Sequence, residues 1–287
     1  MSEEDKNISN RLSIQTGLNG FSFCIGSTSA LPHHVSALSL PIVYPIEDSS
    51  LPAFTLSIDN DPSLRNNFNE IKWLVDTPWY TVVPKPYFAP ENIEKELSLH
   101  FGSTISKCDF GYEKLNSYEA YLVYAKPGRL GAYIEDLWGK DILVRHTAAI
   151  TFDKMVSWAI TSLPSDKTGL AIIIRGGDMV VSAFNCGRLL FFNRFLRIAQ
   201  NSGRSAQYSY PGHEDESSLL YYIVSVLNFL KLNKNDVSLR IASPAPLPLI
   251  KSYLPENNTT IYTQYKLPEQ YSTLRPDAFF HLLSLDI

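Results

Sequence analysis

One recurring pattern constrains the fold of this chain more than any other feature. Three strand-like runs joined by short turns open the sequence, and three more open its second half. In the first set, Leu12, Ile14 and Thr16 alternate with Ser13, Gln15 and Gly17, and Phe21, Phe23 and Ile25 alternate with Ser22, Cys24 and Gly26. A period of two marks half-buried strands. Asn19-Gly20 predicts a tight turn between them, because both residues tolerate positive φ. SALSLPIVYPI at 36–46 continues the sheet, and Pro41 marks an edge or bulge because it cannot donate to a ladder. In the second set, GLAIIIR, MVVSAFN and RLLFFNRF follow one another, with turns at Arg175-Gly176-Gly177-Asp178 and at Cys186-Gly187.

Helices and strands then alternate in both halves. Asp61 as N-cap, Pro62 at the first helical position and the stripe Leu64, Phe68, Ile71, Val75 predict a helix over 62–75. A strand-like segment follows at 77–88. Next come a helix from Pro90 with Ile93, Leu97 and Phe101 as its stripe, strands over 104–111 and 118–125, the helix PGRLGAYIEDLW and the strand DILVRH. The second half predicts a helix over 148–162 and, after a polar loop, the helix SSLLYYIVSVLNFLKL. Glu214, Asp215 and Glu216 suit the positive end of that helix, and its all-round apolarity predicts deep burial. The strand VSLRIA, a Pro-rich turn, a helix near 247–254, a strand near 260–265 and a helix near 277–284 complete it. The expected organisation is a flexible N-terminus over 1–10, one α/β lobe over 11–147 and another over 148–287. Each would be a mixed sheet covered by helices, with a cleft between the two.

Composition narrows the function classes. The 287 residues are 45% hydrophobic, enough for a large core, and a formal net charge of −4 argues against a polyanion partner. The polar N-terminus MSEEDKNISN lacks the features of a signal peptide, and no apolar run is long enough to span a bilayer. Cys24, Cys108 and Cys186 form no CxxC pair, so reduced, mostly buried thiols in a cytoplasmic protein are expected.

The duplicated βββαβαβα layout resembles the actin-like ATPase superfamily, which includes actin, sugar kinases and the Hsp70 nucleotide-binding domain. LSIQTGLNGFSF, YTVVPKPYF and RLLFFNRF also resemble segments of an uncharacterised bacterial family with that fold. The resemblance implies an RNase H-like core in each lobe and an ATP–Mg²⁺ site in the cleft. Active members carry a carboxylate at the end of the first strand, which organises hydrated Mg²⁺ beside a phosphate-holding turn. Here that place reads Gln15-Thr16-Gly17, an amide where the acid would be. The second phosphate turn reads Arg175-Gly176-Gly177-Asp178, with arginine ahead of the glycines. The adenosine segment reads Ala242-Ser243-Pro244, with its glycines replaced. Phosphoryl transfer depends on positioned charge and metal, so hydrolysis is not expected. The positions left to hold a phosphate or other ligand are Gln15, Gly17, Asn19, Gly20, Gly176, Gly177, Asp178 and Ser243. The expected function is a catalytically inactive protein for ligand sensing or protein interaction. The alternative is a divergent ATP-binding enzyme with a relocated acid such as Asp178 or Asp153.

Other constellations read more simply. Asp59-Asn60-Asp61 with Glu70 lacks the glycine of a calcium loop, and Asp61 serves better as a cap. His33-His34 reads as a solvated loop pair, and His213 as part of a capped helix start. No nucleophile elbow or P-loop exists, and the first strand lacks the carboxylates that RNase H-like nucleases need. Arg188, Arg194, Arg197 and Arg204 interleave with Phe191, Phe192 and Phe195. Leu189 to Phe192 is apolar on both faces, which predicts a central strand rather than a nucleic-acid surface.

Overall fold

A computed structural model of the chain describes residues 10–17, 20–27, 34–39, 46–163, 166–175, 178–196, 213–243 and 246–262. The chain divides into two compact units, one ending at Thr151 and the next beginning at Phe152.

In the first unit the alternating runs form β1 (Asn10–Gly17), β2 (Gly20–Ser27) and β3 (His34–Ser39), joined by β4 (Glu70–Asp76) and β8 (Ile142–His146) in the order β3-β2-β1-β4-β8. β1, β4 and β8 run parallel, and β2 and β3 run antiparallel to their neighbours. Gly17 pairs with Gly20, so the two residues between the strands are 18 and 19, one position earlier than the expected Asn19-Gly20 turn. Gly20 supplies the positive φ, at 115°.

Leu12, Ile14, Phe21, Phe23, Trp73 and Val75 turn to one face of this sheet. There they pack on Phe54 and Ile58 of α1 (Ile46–Asn60) and on Leu130 and Ile134 of α3 (Gly128–Trp138). Phe54 is the hub, edge-on to Phe21 at 5.0 Å and to Tyr133 at 6.2 Å. α1 gave no sequence signal because Pro52 lies inside it.

The expected helix over 62–75 is not there. Asp61 caps a single 3₁₀ turn, Pro62–Arg65, and Glu70–Asp76 is strand β4. Leu64, Phe68, Ile71 and Val75 matched a helical stripe by coincidence. Asn66, Asn67 and Asn69 favour turns, and Ile71, Trp73 and Val75 alternate onto the core. His34 is likewise not a solvated loop residue. It opens β3, and its Nε2 lies 2.7 Å from Asp61 Oδ2. Asp61 Oδ1 accepts from the Ser63 amide and hydroxyl. Burial opposes ionisation of Asp61, but the Ser63 and His34 hydrogen bonds outweigh it and hold the carboxyl below its usual range. A carboxyl so depressed stabilises the fold above about pH 4 and loses that contribution as pH falls through its folded value. Asp61→Ala should therefore cost about 1 kcal/mol at pH 7, and the deficit should shrink as pH falls below about 4, as read by urea unfolding across that range.

Between β4 and β8 the chain inserts a second, three-stranded sheet, which the sequence pattern did not separate from the first. Its order is β5-β7-β6, built from β5 (Tyr80–Pro84), β6 (Cys108–Lys114) and β7 (Ala120–Pro127). α2 (Ile93–Phe101) covers one face through Ile93 and Leu97, against Trp79, Val83, Val123 and Ala125.

The second unit repeats the scheme. β9 (Thr168–Arg175), β10 (Asp178–Asn185), β11 (Arg188–Leu196), β12 (Val237–Ala242) and β13 (Thr259–Tyr262) form a sheet in the order β11-β10-β9-β12-β13. Leu170, Ile172, Val181, Leu239 and Ile241 pack on Ile223 and Val226 of α5 (His213–Phe229) and on Ile250 of α6 (Pro248–Tyr253).

Three expectations change. β11 is an edge strand among the described residues, not a central one. Its phenylalanines are spent on packing: Phe192 meets Phe152 at 4.9 Å, and Phe195 stacks on Tyr222 at 4.9 Å. α5 is not buried all round, since Tyr221 and Phe229 are 68% and 74% exposed. Nor are the thiols mostly buried: Cys24 is, Cys108 is half-buried, and Cys186 is exposed in the β10–β11 turn, where it and Gly187 take positive φ. Residues 1–9 of the expected flexible N-terminus, the last helix near 277–284, Arg197 and Arg204 lie outside the described residues, and Asn10 opens β1.

Candidate functional site

In sheets with parallel strands, ligands bind outside the carboxyl ends of those strands. In the first unit that edge is formed by the ends of β1, β4 and β8. It carries Gln15-Thr16-Gly17, Asp76-Thr77 and His146-Thr147. β4 and β8 thus both end in a polar residue followed by threonine.

Gln15, on the face away from Trp73, is buried at 8% exposure, and its Oε1 has no hydrogen-bond partner. Thr16 accepts a 2.9 Å bond from Trp73 Nε1 on the core face. Gly17 pairs with Asp76, and a Cβ at position 17 would lie 3.0 Å from Asp76 Cβ and 3.2 Å from Asp76 Oδ2. The glycine therefore lets the Asp76 carboxylate lie against β1. A carboxylate does stand at this edge, one strand over from where the resemblance implies it.

Asp76 is itself buried, and its Oδ1 accepts a 2.7 Å bond from the Thr147 hydroxyl. The Thr77 hydroxyl donates to Ala125 O at 2.7 Å and lies 3.3 Å from His146 Nε2. His146 Nδ1 accepts from the Ala148 amide at 3.0 Å. Glu113 of β6 accepts from the His146 amide at 2.7 Å and from Arg145 Nε at 2.8 Å. Burial, with the Glu113 charge, pushes the Tyr124 phenol above its ordinary range. The polar groups at this edge are thus tied to one another across β4, β6, β7 and β8.

Of the other expected positions in this unit, Gly20 lies directly across the hairpin from Gly17, and Asn19 lies outside the described residues. In the second unit, Asp178 is the first residue of β10 and pairs with Arg175, so it follows the turn rather than lying within it. Gly176 and Gly177 lie outside the described residues. Ser243 is buried just beyond β12, whose parallel pairing with β9 puts it at the same sheet edge as that hairpin. Asp153, the other candidate acid, lies in α4 (Thr147–Ser162). Sequence reasoning missed Asp76, Thr77, Glu113, His146 and Thr147. The signal that could have found all of them but Glu113 is the polar-Thr pair ending two strands.

The resemblance to the actin-like ATPase superfamily implies Mg²⁺ and a nucleotide at this edge. The donor set described here does not fit them. β1 offers a neutral amide oxygen, the nearest carboxylate is engaged by Thr147, and no group of three or more acidic, histidine or cysteine side chains converges among the described residues.

The sequence model of the family described as "Protein of unknown function (DUF3822)" matches residues 2–245. The chain belongs to the DUF3822 family. No curated protein matches this DUF3822 chain. Among solved structures it is similar to a Bacteroides thetaiotaomicron protein with an actin-like ATPase fold and unknown function. That match has 14% identity, covers 100% of this chain and 98% of the other, and has a TM-score of 0.69. It is also similar to a chain of the PilM–PilN type IV pilus biogenesis complex, at 12% identity over 98% of each chain with a TM-score of 0.53. Likeness at these identities shows the fold: this DUF3822 protein has an actin-like ATPase fold, as the duplicated strand pattern implied. No helix among its described residues is long and apolar enough to cross a membrane.

Proposed function

We propose that this protein uses an actin-like scaffold for protein interaction or ligand sensing without hydrolysing ATP. The observation that carries this reading is the state of the first sheet's carboxyl edge. The acid that would organise a metal is Gln15, and Asp76 beside it is held by Thr147. Charge placed for phosphoryl transfer must be presented to the phosphates and their metal. Here the carboxylates of Asp76 and Glu113 are engaged by Thr147 and Arg145 instead. The likeness to a chain of the PilM–PilN complex supports the interaction side of the reading, since that structure puts the fold in a protein assembly.

The test is phosphate release from Mg-ATP by the purified protein. The expected rate equals the protein-free blank for wild type and for Asp76→Asn alike. Protein-dependent release that disappears in Asp76→Asn would replace this reading with that of a divergent ATP-dependent enzyme. For the interaction side, affinity capture from lysate of the natural host should return a partner whose recovery does not change with added ATP. Capture of nothing specific would count against it.

A further inference from the structure

His146 is fully buried at the junction where β8 passes directly into α4, the helix within which the first unit gives way to the second. The first N–H groups of a helix have no partner inside it, and the residue just before the helix commonly supplies one. Ser, Thr, Asp and Asn are the usual choices. Here the acceptor is an imidazole nitrogen, His146 Nδ1, 3.0 Å from the Ala148 amide.

That bond fixes the ring's protonation. An Nδ1 that accepts an N–H carries no hydrogen of its own, so the hydrogen sits on Nε2. Nε2 faces the Thr77 hydroxyl oxygen at 3.3 Å, and that hydroxyl spends its own hydrogen on Ala125 O at 2.7 Å. These two bonds then run in one direction, from Nε2–H to Thr77 to Ala125.

The titratable and charged groups around the ring come from every element packed on it. Glu113 of β6 accepts from the His146 amide and from Arg145 of β8, so its charge is already paired. Tyr124 of β7 and Tyr80 of β5 stand with their rings 5.0 Å from the imidazole. Asp76 of β4 is bound to Thr147, the first residue of α4.

We infer that His146 is a proton-sensitive cap, which holds the first turn of α4 to the first sheet only while its imidazole is neutral. A second proton on the ring lands on Nδ1 and sets one N–H against another at Ala148. The cap is lost, and the Ala148 amide is left facing another donor. Histidine is the side chain whose charge changes between about pH 5 and 8, so no other capping residue would give the junction this sensitivity. This inference does not depend on what the protein binds.

The test is amide hydrogen exchange at residues 148–151, corrected for the intrinsic pH dependence of exchange, from pH 8 to pH 5. In wild type, protection should fall about fivefold or more toward pH 5, the equivalent of losing one helix cap. His146→Asn offers a non-titrating acceptor at the same place and should keep its protection across the range. Equal pH dependence in His146→Asn, or none in wild type, would overturn the inference. Should His146→Asn fail to fold, the ring ¹⁵N shifts of wild type at pH 7.5 decide it. The Nε2–H tautomer supports the cap, and the Nδ1–H tautomer or an imidazolium contradicts it.

Discussion

Trp73→Ala is expected to remove about 3–5 kcal/mol of folding stability, the largest loss of any substitution considered for the first unit. Trp73 is 1% exposed at the middle of β4. Its indole packs between β1 and α3, where a Cβ at Gly131 would already lie 3.2 Å from the ring. Truncation would leave a cavity bounded by a sheet and a helix, two elements that close poorly on empty space. It would also strip the Thr16 hydroxyl of its indole donor at the carboxyl edge of β1. Trp73→Phe keeps much of the volume and loses only the N–H and part of the ring, so it should cost less than half as much. Urea unfolding followed by circular dichroism measures both. A loss under about 1 kcal/mol for the alanine variant would show that this packing is wrong.

In the second unit the corresponding expectation is for Glu216→Ala, at about 2–3 kcal/mol. The sequence assigns Glu216 to the acidic start of its own helix, α5. The structure gives it another task. Its carboxylate is 4% exposed and accepts a 2.7 Å bond from the Ile250 amide in the first turn of α6. A negative charge at the amino end of a helix is favourable both as an acceptor and against the helix dipole. Alanine would leave a buried N–H unpaired beside Ile250, whose side chain belongs to the core of this unit. Glu216→Gln retains an acceptor without the charge and should recover part of the loss. If alanine and glutamine are equally damaging, the charge rather than the hydrogen bond carries the effect.

The sequence spoke clearly where one periodicity stood alone. β1, β2 and β12 alternate apolar and polar residues over six positions, β9 and β10 are short apolar runs bounded by turn residues, and each formed close to its expected span. It misled where two periodicities coincided. Leu64, Phe68, Ile71 and Val75 satisfy a helical stripe, while Ile71, Trp73 and Val75 satisfy a strand, and sheet pairing with β1 and β8 decided for the strand. It was silent about α1, whose Pro52 hid it, and about the separateness of the β5-β7-β6 sheet. Which strands share a sheet is a matter of long-range pairing that local pattern does not encode.

The candidate site was legible in the same uneven way. Gln15 and Gly17 could be named because the resemblance points to the end of the first strand, which the alternation of β1 marks. Asp76 and His146 could not, because each acquires meaning only from a neighbouring strand: Asp76 from Gly17 across the β1–β4 pairing, and His146 from Thr77 and Glu113. The misassigned helix over 62–75 also concealed that Asp76 ends a strand. The amide at position 15 was therefore visible in sequence, whereas the carboxylate of Asp76 beside it required the fold.

The central claim is that an actin-like fold persists here without its metal–nucleotide site. Thermal melting with and without Mg-ATP tests it most directly. A ligand at a hundred times its Kd adds about 2.7 kcal/mol to the folded state and raises the melting midpoint by several degrees. The account predicts the same midpoint in buffer, in Mg²⁺ and in Mg-ATP at millimolar concentration. A rise that requires both ATP and Mg²⁺, and that vanishes in Asp76→Asn, would contradict it.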